Sequence, residues 1–196
     1  MEKNYYNYNN YPYNNNYNYN YNYNYNNNYN FYNNYNNFYT LNQNSQITLV
    51  TLNDISQINY ISTKYWGKDG FYTYNELKNI ICQNLSFCIK INYEIIGFCL
   101  MTMLNDIECE IFLLAVKPEY INMKFGQTIL IFSIKNASNR GIKIFKLHVS
   151  ITNFPAMHLY KKLGFKTIKI IKNYYKTLKT NNEKDKDAYE MFLATF

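Results

Sequence analysis

Arginine is nearly absent from this chain. Arg140 is the only one, and the other nineteen basic residues are lysines. Arginine's planar fork reads bases and phosphates better than a lysine point charge does, and no nucleic-acid motif accompanies the lysines. The formal net charge of +7 is therefore not read as the mark of a specific nucleic-acid binder. It suits an anionic cofactor or work close to a ribosome. Long apolar runs are also missing. None approaches the roughly 18 residues that a spanning helix needs, so no membrane partner is expected. The N-terminus is polar and lacks an apolar signal core, so no secretory signal is expected. The four cysteines, Cys82, Cys88, Cys99 and Cys109, fit no CxxC or zinc spacing. Cys88 and Cys99 fall in apolar runs and read as small buried hydrophobes, reduced and in an intracellular compartment. There are two histidines, His148 and His158, and no His/Cys/Asp cluster with ligand spacing, so no metal is expected.

Charge and aliphatic residues are missing from one segment. Between Asn4 and Tyr39 almost every residue is Asn or Tyr, with Pro12 the one proline and no Leu, Ile or Val. Such a segment cannot bury enough apolar area to offset the entropy of ordering. Residues 1–46 are expected to be a disordered low-complexity tail. It reads either as drift toward AT-rich codons or as a weakly self-associating recruitment arm. The remaining 47–196 are enough for one domain with a core.

Periodicity within that domain is clear. Ile47 to Leu52 alternates as a strand, Asn53-Asp54 offers a cap, and Ile55, Ile58 and Ile61 mark a first helix to about Tyr65. Trp66 to Gly70 reads as a loop, and Tyr74 to Cys82 as a second helix. Ser86–Ile91 and Ile95–Leu104 form a hairpin, and Ile107–Val116 is a fourth strand. A third helix runs from about Gly126 to Asn139, stopped by Arg140-Gly141. Ile142–Val149 is a fifth strand and Pro155–Leu163 a fourth helix, with Pro tolerated in its first turn. Lys166–Lys172 and Tyr189–Thr195 are the last strands, joined by a lysine-rich loop, Thr177–Lys186. The order β-α-α-β-β-β-α-β-α-β-β predicts an α/β domain, a mixed sheet of about seven strands with helices on both faces.

Three stretches carry a resemblance. They are Ala115-Val116-Lys117-Pro118-Glu119-Tyr120 with Gly126; Leu147-His148-Val149 with Thr152-Asn153-Phe154-Pro155-Ala156 and Leu159-Tyr160-Lys161-Lys162-Leu163-Gly164-Phe165; and Asn173-Tyr174-Tyr175 with Asp187-Ala188-Tyr189-Glu190-Met191. Together they resemble the GCN5-related N-acetyltransferases, and within them the protein N-terminal acetyltransferase catalytic subunits and ribosomal-protein alanine acetyltransferases. The family's cofactor loop normally reads Arg/Gln-x-x-Gly-x-Gly/Ala. Here the matching run is Ile121-Asn122-Met123-Lys124-Phe125-Gly126, with Lys124 at the first glycine.

The resemblance implies a GNAT fold over 47–196 and direct transfer of acetyl from acetyl-coenzyme A to the α-amine of a peptide or protein N-terminus. Lys124, Phe125, Gly126, Gln127 and Thr128, with Asn122 beside them, would anchor the diphosphate at a helix N-terminus. Leu114 and Val116 would pair with the pantetheine arm like an added strand, the Leu114 N–H serving as oxyanion donor. Tyr160 would protonate the departing sulfur, with Asn153 binding pantetheine or fixing its loop. His148, on the face of its strand with Lys146 and Ser150, would be general base, and Glu110 is a second candidate for that task. Phe71, Tyr72, Phe112, Tyr174 and Tyr175 would grip the first residues of the acceptor. His158 is expected at the surface with no role. A cytoplasmic enzyme follows, alone or with an auxiliary or ribosome-tethering subunit. Two alternatives stay open: a GNAT acting on lysine side chains or small amines, and a non-catalytic scaffold subunit with the same fold.

Overall fold

The computed structural model describes residues 45–66, 70–175 and 186–195. The Asn/Tyr-rich segment, most of the loop after Trp66 and most of the lysine-rich loop before Asp187 lie outside the described residues. The expected element order holds throughout: β1 Ser45–Leu49, α1 Ile55–Trp66, α2 Tyr74–Ile81, β2 Phe87–Ile91, β3 Glu94–Met103, β4 Glu108–Val116, α3 Phe125–Asn139, β5 Ile144–Ser150, α4 Phe154–Lys162, β6 Lys166–Ile171 and β7 Ala188–Ala194. β1 begins at Ser45, ahead of the expected Ile47.

The cap of α1 differs from expectation. A 3-10 turn, Leu52–Asp54, runs straight into α1, and Thr51 is the cap. The Thr51 N–H and hydroxyl both donate to Asp54 Oδ2 at 2.9 Å, and Lys90 Nζ reaches Oδ1 at 2.7 Å. Asp54 is almost fully buried. Burial pushes its carboxyl up, but the hydrogen bonds from Lys90 and Thr51 outweigh that and hold it below the usual range. An interior aspartate is tolerable here because its oxygens are satisfied. α2 starts on a reciprocal box: the Thr73 N–H donates to Glu76 Oε2 at 2.6 Å, and the Glu76 N–H to Thr73 Oγ1 at 3.3 Å.

The seven strands form one sheet in the order β1-β2-β3-β4-β5-β7-β6. All neighbours are antiparallel except β4 and β5. The β2–β3 turn places Asn92 and Tyr93 at φ +49° and +67°, the two positive angles of a type I′ hairpin. One core lies on the α3/α4 face and holds Cys99, Ile111, Ile129, Leu130, Phe145, Leu147 and Tyr160. A second lies on the α1/α2 face, with Ile58, Ile61, Leu77, Phe98 and Leu113.

β4 serves both cores because it carries a bulge. Met101 lies opposite Ile111 and Leu100 opposite Leu113, leaving Phe112 as the extra residue. Below it, Cys109 and Ile111 face the α3/α4 core. Above it, Leu113 and Ala115 face the α1/α2 core, while Leu114 and Val116 turn toward α3. One inserted residue reverses the side-chain parity of the strand end.

Candidate active site

β4 and β5 pair for only three rungs, Glu108–Ile144, Cys109–Phe145 and Glu110–Lys146. Above them β4 stays with β3 up to Val116, and β5 stays with β7 up to Ser150. The two strands therefore part after Glu110 and leave a wedge in the sheet. The backbone of upper β4 faces it. The Lys117 N–H donates to the Ile96 carbonyl at 2.7 Å, so by antiparallel alternation Ala115 and Lys117 face β3, and Leu114 and Val116 present their N–H and C=O groups to the wedge. The Val116 carbonyl accepts from the Tyr65 hydroxyl at the end of α1.

His148 and Tyr160 lie on opposite faces of the sheet. On β5, Phe145, Leu147 and Val149 pack into the α3/α4 core, which puts His148 on the other face with Lys146 and Ser150, as the alternation predicts. Glu110 shares that face of β4. His148 Nδ1 lies 2.8 Å from Glu110 Oε1, the side chains 17% and 14% exposed. The Tyr174 ring stacks on the imidazole, centroids 4.5 Å apart and planes 16° from parallel. Two positions lower on each strand, Lys146 Nζ meets Glu108 at 2.9 Å. Tyr160, from α4, is buried on the α3/α4 face with Phe165 against its ring. Burial above all, then the nearby Cys99 and Tyr175, raise its hydroxyl well above the usual phenol range. It stays protonated at neutral pH, so it holds a proton to give and is not itself a base. Burial also pushes the Cys99 thiol up to about 12 and raises those of Cys88 and Cys109, so none of these three is poised as a nucleophile.

The start of α3 is built to be left open. The helix begins at Phe125, one residue before the expected Gly126, and its cap is Lys124, whose side chain makes no capping bond. Lys124 and Asn122 both sit in the left-handed region, at φ +64° and +66°. Lysine at 124 thus keeps the conformation that favours glycine, at a cost of about 1 kcal/mol. Gly126 needs neither a positive φ nor extra room. A methyl there would meet Val116 Cγ2 at an ordinary 3.4 Å, so its bareness leaves backbone accessible. The next residue, Gln127, is buried with its Nε2 unpartnered among the described residues. Thr128 is buried too, its N–H bonded to the Lys124 carbonyl.

The aromatic candidates form two groups. Tyr72 packs edge-on to Phe112, 5.4 Å between centroids, and Phe71 beside it is exposed. Tyr175 stands edge-on to Tyr174 at 4.9 Å. Each group is held by a residue that sequence reading missed. Asn59 Nδ2 donates to the Tyr72 carbonyl at 2.8 Å, and its Oδ1 accepts from the Tyr72 N–H at 2.9 Å. Asp187 accepts from Lys172 at 2.6 Å and from the Asn173 N–H at 3.0 Å, fixing the turn that carries Tyr174. Nothing local marks Asn59, whereas Asp187 stands in the Asp-Ala-Tyr stretch that carries the resemblance. Asn153 uses its side-chain oxygen to cap α4, accepting from the Ala156 N–H at 3.2 Å. His158 is exposed, as expected.

The sheet and helices that hold this site have counterparts among known proteins. The model of the acetyltransferase (GNAT) family matches residues 51–165. The chain belongs to this family. It is thus an acyltransferase by membership. A protein of Bacillus subtilis (strain 168) described as a ribosomal protein bS18-alanine N-acetyltransferase is 31% identical over 138 residues, 68% of this chain and 86% of that protein. The Escherichia coli ribosomal-protein-S18-alanine N-acetyltransferase structure superposes with a TM-score of 0.67 at 24% identity, covering 78% of this chain and 95% of that one. Arabidopsis thaliana Naa50, solved with the bisubstrate analogue CoA-Ac-MVNAL, gives 0.65 at 20% identity, with 77% and 99% covered. These two structures share the GNAT fold with this chain.

Proposed function

We propose that this GNAT protein is a cytoplasmic N-alpha-acetyltransferase, moving acetyl from acetyl-coenzyme A directly to the α-amine of a protein N-terminus within a ternary complex. The observation that carries the reading is the β4–β5 wedge, with a histidine on one face and a buried, protonated phenol on the other. The names of the bacterial relatives support the N-terminal acceptor, and the analogue bound to the plant enzyme joins coenzyme A to a peptide.

The residues present fit the coenzyme. The uncapped N–H groups of Phe125, Gly126 and Gln127 suit a diphosphate, and the buried Gln127 amide beside them has no acceptor among the described residues. Lys124 adds a positive charge at the same end. Leu114 and Val116 offer a strand edge for the amide-bearing pantetheine arm. Bound there, the coenzyme supplies the activated thioester. The Leu114 N–H then stabilises charge on the acyl oxygen, typically worth 10²- to 10³-fold. His148 takes the proton of the attacking amine, directly or through water, and Tyr160 gives its own to the leaving sulfur, each worth roughly 10²- to 10⁴-fold. Phe71, Tyr72 and Phe112 on one side and Tyr174 and Tyr175 on the other grip the first residues of the acceptor. Asn153 acts by fixing the loop before α4. The lysine surplus suits work at the ribosome surface, alone or with an auxiliary subunit.

Turnover of acetyl-coenzyme A on peptides that differ in their first two residues tests this. Acetylation of free N-termini is expected, with peptides blocked at the N-terminus but carrying lysine left unmodified. The opposite preference sinks the N-terminal assignment.

A further inference from the structure

Sequence reading left His148 and Glu110 as two candidates for one task. We propose that Glu110 is a positioning residue, whose carboxylate holds the neutral His148 ring as the Nδ1–H tautomer so that Nε2 is the atom that takes the proton. The proposal rests on the acetyl-transfer reading above and assigns the parts within it.

The geometry separates the two residues. Glu110 sits on the last closed rung, opposite Lys146, whereas His148 lies two positions further along β5, where the strands have parted. The 2.8 Å contact joins Glu110 Oε1 to Nδ1. An ionised carboxylate can only accept, so the shared hydrogen belongs to the imidazole. Nε2 makes no hydrogen bond among the described residues. The surrounding charges are already matched. Lys146 is bound by Glu108, and Glu190, opposite His148 across the β5–β7 ladder, is bound by Lys169 at 3.0 Å. Glu110 alone of these carboxylates faces the histidine.

Tyr174 completes the arrangement. A ring stacked at 16° opposes rotation of the imidazole that would exchange its two nitrogens. That tyrosine stands on the turn anchored by Asp187, so the base is clamped between a carboxylate in the sheet and an aromatic of the acceptor wall. During transfer, the amine nitrogen bonds the acyl carbon as the thioester C–S bond breaks; the sulfur leaves with the Tyr160 proton, and the N–H proton that the amine loses passes to Nε2. The resulting imidazolium keeps its Nδ1–H on Glu110, now as a charge-assisted bond, and later returns the proton to solvent, from which the Tyr160 phenol is restored. The logic is that of an oriented base, in which the carboxylate fixes the ring and does not itself become protonated.

Nitrogen-detected NMR of the His148 ring, with kinetics of Glu110→Ala and Glu110→Gln, tests the proposal. In the native protein the neutral ring should carry its proton on Nδ1. Glu110→Ala should release it to the mixture dominated by Nε2–H that free imidazoles adopt, and lower kcat about 10- to 100-fold with the peptide KM within about twofold. Glu110→Gln, whose carbonyl oxygen can still accept, should restore part of both signals. A native ring protonated on Nε2, or a tautomer unchanged in Glu110→Ala, overturns the proposal. So does a His148→Ala protein that keeps its rate while Glu110→Ala loses it, since the carboxylate would then be the base. A native protein without turnover on any amine counts against the function alone; the tautomer readout still decides the part played by Glu110.

Discussion

The lower and upper ends of the β4–β5 contact lie two residues apart along each strand. At the lower end Glu108 meets Lys146 across closed strands; at the upper end Glu110 meets His148 where the strands separate. Both are acid–base pairs at similar distance on the same sheet face. Lysine serves here as a cation in a strand-to-strand tie, whereas an imidazole is the side chain suited to taking up a proton and giving it back. The lower pair ties two strands together. The upper pair stands where an amine can arrive, and its basic member can change state. An acid–base pair becomes a candidate catalytic one by the ladder opening beside it and by the identity of a single side chain.

That contrast can be broken from either end. The largest expected effect is at the opening: Tyr160→Phe, which removes the buried proton donor but keeps the ring, should lower kcat about 100-fold, or roughly 2.7 kcal/mol of barrier, while the melting temperature hardly changes. Parallel steady-state assays and thermal melts check both parts. At the closed end the pattern should invert. Lys146→Met removes a partly buried pair worth about 1 kcal/mol, read as a lower denaturant midpoint with kcat retained. A loss of kcat equal to that of Tyr160→Phe would erase the distinction between the two ends.

Smaller effects sharpen the picture of the wedge mouth. Lys124→Gly should stabilise the protein by about 0.5–1 kcal/mol, because glycine carries no Cβ penalty at φ +64°; a denaturation curve measures it. Tyr65→Phe frees the Val116 carbonyl for the pantetheine arm and should lower the KM for acetyl-coenzyme A by at most about fivefold, since one neutral hydrogen bond nets only about 1 kcal/mol. The smallest effect vanishes in acid. The hydrogen bond from Lys172 and then that from the Asn173 N–H hold the Asp187 carboxyl below the usual range. The stability it contributes is therefore complete above the unfolded value of about 3.9 and is lost as pH falls through the lower folded one. Acid titration of native and Asp187→Asn proteins, followed by near-UV circular dichroism of the tyrosines, should diverge above that window and converge below it.

Much of the site was readable because its signals are local. The alternation Phe145-Lys146-Leu147-His148-Val149 gave the face of His148, the run to Gly164 stopped α4 where the structure stops it, and Tyr160 fell on the buried side. The bulge at Phe112 was not readable. Ile111 to Val116 is apolar throughout, so a reversal of parity between two greasy faces leaves no mark in the pattern. The Thr51 cap was missed because Asp54 looked like a cap itself, until Lys90 from a distant strand claimed its other oxygen. Lys124 looked like a lost glycine, yet the backbone keeps the glycine-like angle, because the sheet and α3 around it dictate the turn more strongly than one residue's preference resists it.

By itself the sequence determined the order of elements, their inward faces and the residue types able to move a proton, since each depends on spacing within a few positions. Only the tertiary structure decided where the ladder between β4 and β5 stops, and therefore which carboxylate is bound to lysine and which to histidine. Those outcomes depend on pairing across residues some forty positions apart, where competition among partners is settled by packing that no local pattern encodes.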